Sequence, residues 1–458
     1  MLFNSWTFWA FFAIVLPLYW LLDHKRQNWF LIAASYLFYG WWDWRFLILI
    51  AFSTVMDYHL GRLVAARPRK SWVVLSVVLN LALLGVFKYY NFFAGELARA
   101  TGLSLPMLQL ILPVGISFYT FQSMSYVLDI SRGVTQPAKS LANFALYVSF
   151  FPHLVAGPIM RSGNSMGKGL LKQLEAPRVY RDRDFQDGLY YILLGLFKKV
   201  VIGDNLATLV NGVFAADPSK LTGLEVLCGV YAFAWQIYAD FSGYSSIAQG
   251  VAKWMGVDLM DNFKMPYLAV SPSDFWRRWH ISLSTWLRDY LYVPLGGSRG
   301  GKLLTYRNLM LTMILGGIWH GANWTFIAWG LLHGLILCGY RLLPEPKGFS
   351  WWRAAVMFHL VCLGWLFFRA ESIGQAWAFL QLIVTRPEVT PLSVSMLSML
   401  AFYAGPLFLF ELWVERRKDM VSLESAPMPA RALVYAYAAL MLLFFPSPEV
   451  HEFIYFQF

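Results

Sequence analysis

The sequence predicts an all-α, polytopic membrane protein, on two observations. Of its 458 residues, 58% are hydrophobic and only 14% charged, where a soluble chain of ordinary composition carries about a quarter charged residues. Apolar stretches near the ~20 residues needed to cross a bilayer core also recur from one end of the chain to the other.

These stretches fall near 3–22, 29–41, 45–60, 71–90, 106–130, 141–158, 186–210, 224–250, 309–340, 353–369, 375–385, 394–413 and 432–446. Some are short for a full crossing and others long for one, which gives about ten to thirteen transmembrane helices. The first, within MLFNSWTFWAFFAIVLPLYWLL, has neither a basic leader nor a small-residue cleavage site and reads as a retained span. No repeat period, no inverted symmetry and no long hydrophilic stretch breaks the pattern, so 1–458 reads as a single transmembrane domain.

Orientation follows from the basic residues. Clusters at 24–26, 62–70, 161–183 and 416–418 read as cytoplasmic, which puts the N-terminus outside. Arg431 precedes the last span and no Lys or Arg follows it, so the tail 447–458, SPEVHEFIYFQF, reads as periplasmic. The net charge of +11 belongs to those cytoplasmic loops, and a nucleic-acid partner is not expected. The three cysteines, Cys228, Cys338 and Cys362, stand singly in apolar sequence, so neither a disulfide framework nor a metal site is expected.

Two regions do not read as simple spans. SFFPHLVAGPIM (149–160) carries two prolines and a glycine in an apolar run, and 264–307 mixes seven Lys or Arg and two Asp with many aromatics. Both suit re-entrant or interfacial helices, whose charges snorkel or line a wet cavity.

A charge at the bilayer centre costs at least ~2.5–3.5 kcal/mol, so polar groups in spans need a reason. Neutral imidazole avoids most of that cost and still exchanges a proton near neutral pH. Of eight histidines, His24 and His59 read as solvated, and His333 and His359 as structural. His320 stands in LTMILGGIWHGANWTFIAWG, where small residues allow close approach and Trp319 and Trp324 can wall a pocket. It is the leading catalytic candidate, against the alternative of a buried imidazole bonded to a carbonyl. Trp319 and Asn323 would line the same space. His280 lies in SPSDFWRRWHISLSTWLRDYLYVPLGGSRGG, where Ser271 or Asp274 starts an aromatic helix and Gly296 and Gly297 end it. Its Arg277, Arg278 and Arg288 form either an amphipathic membrane-surface face or a mouth for an anionic donor, since guanidinium forks suit phosphate. Asp240, in WQIYADFSGYSS, is either a tunnel-lining functional group or a structural one bonded by nearby hydroxyls. HxxxxD, HExxH, GxSxG and glycine-rich phosphate-loop motifs are all missing.

The blocks LPVGISFYTFQSMSYVLDI (112–130), FPHLVAGPI (151–159), DFSGYS (240–245), NFKMPYLAVSPSDFWRRWHISLSTWLRDYLYVPLGG (262–297) and GGIWHGANWTFIAWG (316–330) resemble the membrane-bound O-acyltransferase superfamily, in its bacterial alginate O-acetylase branch. The resemblance runs along the whole chain. It implies a ring of transmembrane helices around a central funnel, in the bacterial inner membrane, with His320 and His280 matching the two family histidines. It also implies periplasmic acetylation partners that finish the transfer to a polysaccharide. The ending FIYFQF resembles the chain ends of that branch, which makes Tyr455 a candidate acyl relay; otherwise it is an aromatic interfacial anchor. The 161–183 loop matches no pattern of the family, and the C-terminal region lacks a longer hydrophilic loop found in some alginate relatives.

The expected activity is transfer of acetyl from a cytoplasmic thioester, acetyl-CoA or a carrier-protein thioester, toward alginate or a similar polymer, with cellulose and peptidoglycan as alternatives. No tightly bound cofactor or metal is expected, and membrane lipid surrounds the chain. The rivals are a polysaccharide transporter, a non-catalytic scaffold of the acetylation complex, and a lipid or protein acylating enzyme.

Overall fold

The computed structural model describes the chain apart from residues 104, 164–168, 345–347, 419–422, 424–425, 450 and 457–458. Every regular element among the described residues is helical. The long helices Phe46–Ala66, Lys70–Thr101, Trp351–Arg369 and Pro391–Arg417 are apolar enough to cross a membrane, and shorter apolar helices cover Trp6–Trp20, Trp324–Tyr340, Ile373–Thr385 and Met428–Phe444. Two compact units form: Met1–Ile192 with Tyr244–Asp261, and Leu193–Gly243 with Asn262–Phe458.

The first unit is built on aromatic packing. Phe8 stacks parallel to Phe12, and Phe38 and Phe151 close around them. Polar pairs also enter this unit, since an unpaired polar atom in an apolar interior costs more than its bond returns. Asp57 accepts from Ser76 Oγ (2.6 Å) and Asn80 Nδ2 (2.8 Å), tying two long helices together. The 149–160 segment is not a span: the helix Leu141–Ser149 ends at Phe150, and Phe151–Leu154 forms one short helix before the chain turns. Neither piece approaches the length of a bilayer core. His153 anchors it through Nε2 to Gln122 Oε1 at 2.8 Å.

The second unit contains all the candidate site residues. Its central hairpin pairs the helices Lys302–His320 and Trp324–Tyr340. They approach backbone to backbone because Gly317 and Gly330 face each other's helix: a Cβ on Gly317 would fall on the Phe326 carbonyl oxygen, and one on Gly330 on the Met313 carbonyl oxygen. Backbone cannot yield as a side chain end can. Gly317→Ala therefore costs about 1–3 kcal/mol by overpacking, seen as a lower melting temperature of the detergent-solubilised protein. Gly339→Ala, on the same hairpin with open space at its Cβ, leaves the melting temperature within about 1 °C of wild type.

One expectation fails here. The aromatic helix expected to run continuously past His280 is broken at it. Ser271 caps the helix Pro272–Arg278 by accepting from Asp274 N (3.2 Å), and a second helix runs Ile281–Leu287. Between them His280 takes left-handed dihedrals, φ 42° and ψ 54°. That conformation is costly for a residue with a Cβ and persists only where surrounding structure enforces it. Asn262 does so, its Oδ1 accepting from Ser282 N (3.2 Å) and Ser282 Oγ (2.8 Å) while its carbonyl takes Ile281 N. Gly296 and Gly297 end the segment at φ 109° and 57°, as their positions in the sequence imply.

Candidate active site

His320 is the last residue of its helix, and Gly321 leaves in extended conformation. The carbonyl end of a helix carries partial negative charge, which favours an imidazolium by typically 0.3–1 kcal/mol. A base there is helped as it accepts a proton. The ring is 4% exposed and packed by Trp319 (5.0 Å between centroids), Trp329 (5.0 Å) and Phe368 (5.1 Å).

Tyr455 lies against this ring, 5.7 Å from His320 and 6.3 Å from His280 by centroids. Phe241 fills the angle between His280 (4.6 Å) and Tyr455 (4.7 Å), and Trp319 touches both histidines, at 6.0 Å from His280. Residues 135 positions apart in sequence, His320 and Tyr455, thus meet in one apolar pocket with His280. Burial holds the His280 imidazole neutral, its pKa lowered to about 3, and pushes the Tyr455 phenol far above its ordinary range. Such a phenol does not ionise unaided; it reacts only as a base removes its proton. Gln457 and Phe458, which complete the ending that drew attention to Tyr455, lie outside the described residues.

The remaining candidates separate by surroundings. Trp319 belongs to the pocket. Asn323 caps the helix Trp324–Tyr340, accepting from Thr325 N (3.1 Å) and donating to the Glu371 carbonyl (3.0 Å). Asp240 is held by Lys199 at 2.7 Å and accepts from Ile454 N at 2.7 Å, not by the neighbouring hydroxyls the sequence offered. Arg278 is engaged by Glu415 through both carboxylate oxygens (2.9 and 3.0 Å) and by Asp274 (2.9 Å), whereas Arg277, Arg288 and Arg299 are exposed, Arg288 bonding its neighbour Asp289 at 2.7 Å. His333 packs among Phe275, Trp276 and Trp329, and His359 bonds Tyr231 (2.8 Å) and the Ala355 carbonyl (2.7 Å). Among the described residues, no group of His, Cys, Asp and Glu is arranged to hold a metal ion.

Sequence reasoning missed the buried ionisable groups Lys198, Lys199, Asp204 and Glu411. Lys198 pairs with Glu411 at 3.7 Å and lies over the Tyr238 ring, whose hydroxyl bonds Glu411. The signal was available: the pair in FKKVVIGDN interrupts an apolar stretch, as Asp240 does.

Comparison with known proteins fixes the class of this helical membrane chain. Residues 36–345 match the model of MBOAT, the membrane-bound O-acyltransferase family. The chain is 43% identical over 390 residues to the probable alginate O-acetylase AlgI of Pseudomonas aeruginosa, covering 82% of this chain and 74% of that one. It is 36% identical over 420 residues to a peptidoglycan O-acetyltransferase of Helicobacter pylori (82% and 78% covered). A teichoic acid D-alanyltransferase of Bacillus subtilis is 28% identical over 287 residues (58% and 71%). The chain belongs to the membrane-bound O-acyltransferase family and is a multi-pass membrane acyltransferase.

Proposed function

We propose that the protein transfers acetyl from a cytoplasmic thioester, acetyl-CoA or a carrier-protein thioester, across the bacterial inner membrane for O-acetylation of an exopolysaccharide. Alginate or a similar polymer is the acceptor favoured by the 43% identity to a probable alginate O-acetylase. The 36% identity to a peptidoglycan O-acetyltransferase keeps peptidoglycan as a second reading, and cellulose is a third acceptor open to the same chemistry. The observation that carries the reading is the meeting of His320, His280 and Tyr455 in one pocket.

In the proposed mechanism the thioester docks on the 277–299 segment, with Arg277 and Arg288 drawing its anionic groups. The Tyr455 oxygen attacks the acetyl carbonyl while His320 takes the phenolic proton. The carbon–sulfur bond breaks, and the proton passes from His320 to the thiolate, leaving free thiol and an aryl acetate on Tyr455. Neutral His280 orients the acyl group or the base, and Trp319 keeps water out. General-base help contributes about 10²–10⁴-fold, and holding the reactants together in the pocket supplies most of the rest. A periplasmic partner then moves the acetyl to a sugar hydroxyl, whose proton restores the phenol. This route asks for both termini outside and about ten to thirteen crossings enclosing a funnel, as the family resemblance implies.

Purified protein in detergent, given acetyl-CoA, is expected to release free thiol faster than the same protein carrying His320→Ala. Equal rates would remove His320 from the thioester step.

A further inference from the structure

The tail that carries Tyr455 is held by its main chain. Lys199 sits on a π-helical turn, Phe197–Gly203, Asp204 opens the helix that follows, and Asp240 lies on the helix Gly223–Trp254. The three side chains are at most 5% exposed. Lys199 Nζ donates to Asp204 Oδ1 (2.8 Å) and to the His451 carbonyl (3.0 Å), and it forms an ion pair with Asp240 Oδ1 at 2.7 Å. The other oxygen of Asp240 accepts from Ile454 N at 2.7 Å, one residue before Tyr455. Asn205 Nδ2 takes the Phe445 carbonyl at 3.0 Å, where the tail leaves the last helix. Local geometry is built for this grip. A Cβ on Gly203 would stand 3.3 Å from Asp240 N, so glycine lets the turn lie against that helix, and a π turn is an interruption frequent at functional sites.

We propose that Lys199, Asp240 and Asp204 form a latch that fixes the register of the C-terminal tail and thereby aims Tyr455 at His320. They are positioning residues: none touches the reacting atoms. The latch bonds main-chain atoms at 451 and 454, so it sets where the tail lies independently of its side chains there. Buried, paired charges that also bond the main chain hold one geometry, whereas apolar packing of Phe453 and Ile454 alone would tolerate sliding. The proposal rests on the relay role of Tyr455 for its consequence in catalysis, while the docking itself does not depend on it.

The decisive variant is Ile454→Pro, which removes the N–H given to Asp240 and leaves the charged groups intact. Ile454 is the first residue of a 3₁₀ turn, Ile454–Phe456, where a proline is sterically accepted. Ile454→Ala is the control, losing the same buried side chain but keeping the N–H. Two readouts are taken on the full-length protein in detergent: amide hydrogen exchange of the C-terminal peptide by mass spectrometry, and acetyl-CoA-dependent release of thiol. Ile454→Pro and Lys199→Met are expected to exchange the tail amides at least about tenfold faster than Ile454→Ala and wild type. Their single-turnover rate of thiol release at saturating acetyl-CoA is expected to fall about ten- to a hundredfold, with the half-saturating acetyl-CoA concentration little changed. Asp240→Asn, which keeps an acceptor for Ile454 N, should lose less than Asp240→Ala. Tail exchange in Ile454→Pro and Lys199→Met equal to that of Ile454→Ala overturns the latch. Tyr455→Phe separates the two ideas, since it should leave tail exchange at the wild-type rate. Full activity in Tyr455→Phe would sink the relay, and the exchange data would still judge the latch.

Discussion

Cells in which His320 is replaced by alanine are expected to lose acetyl esters from their exopolysaccharide by at least about a hundredfold, at membrane protein levels equal to wild type. General-base catalysis is worth about 10²–10⁴-fold, and nothing adjacent takes over. Burial lowers the His280 imidazole pKa to about 3, which makes it a poor proton acceptor. Trp329 and Phe368 are apolar rings that accept no proton. His320→Gln should be as inactive as alanine, because an amide hydrogen-bonds but does not take up a proton in this range. Unchanged acetylation in either variant would end the catalytic reading of His320. The alanine variant also leaves a void among Trp319, Trp329 and Phe368, so a parallel melting measurement separates lost chemistry from lost packing.

Tyr455→Phe is expected to abolish acetyl transfer to polymer about as fully as loss of His320, while the protein keeps its stability. The phenyl ring retains the contacts with Phe241 and Phe453 (4.7 and 5.6 Å) and removes only the oxygen. Burial keeps that oxygen protonated until a base acts, which ties the two residues into one step, so the double variant should be no worse than either single one. Mass spectrometry of wild-type protein incubated with acetyl-CoA should find a gain of about 42 Da (acetyl replacing the phenolic hydrogen, net C₂H₂O) on the peptide holding Tyr455, absent from both variants. Transfer by Tyr455→Phe at the wild-type rate would show that the tyrosine is an anchor and that the acceptor is reached directly.

What the sequence determined by itself is the solvent and the chemistry. Hydrophobic stretches with few charges dictate membrane helices because a backbone in lipid must satisfy its own hydrogen bonds. An imidazole flanked by small residues and tryptophans marked His320, and the helix-start signature at Ser271 and the glycines at 296 and 297 set the bounds of the His280 segment. These are local properties, each set by a residue and its near neighbours. Only the tertiary structure decided what depends on distant partners. The break at His280 is enforced by Asn262, eighteen residues away, so a pattern that reads as one aromatic helix folds as two. Arg278 looked like a ligand for an anion because its carboxylate partner Glu415 lies 137 residues on. Asp240 had nearby hydroxyls to explain it, yet its charge is balanced by Lys199 and its free oxygen holds the tail. A buried charge is explained by its counter-charge, and the chain brings the two together only when it folds.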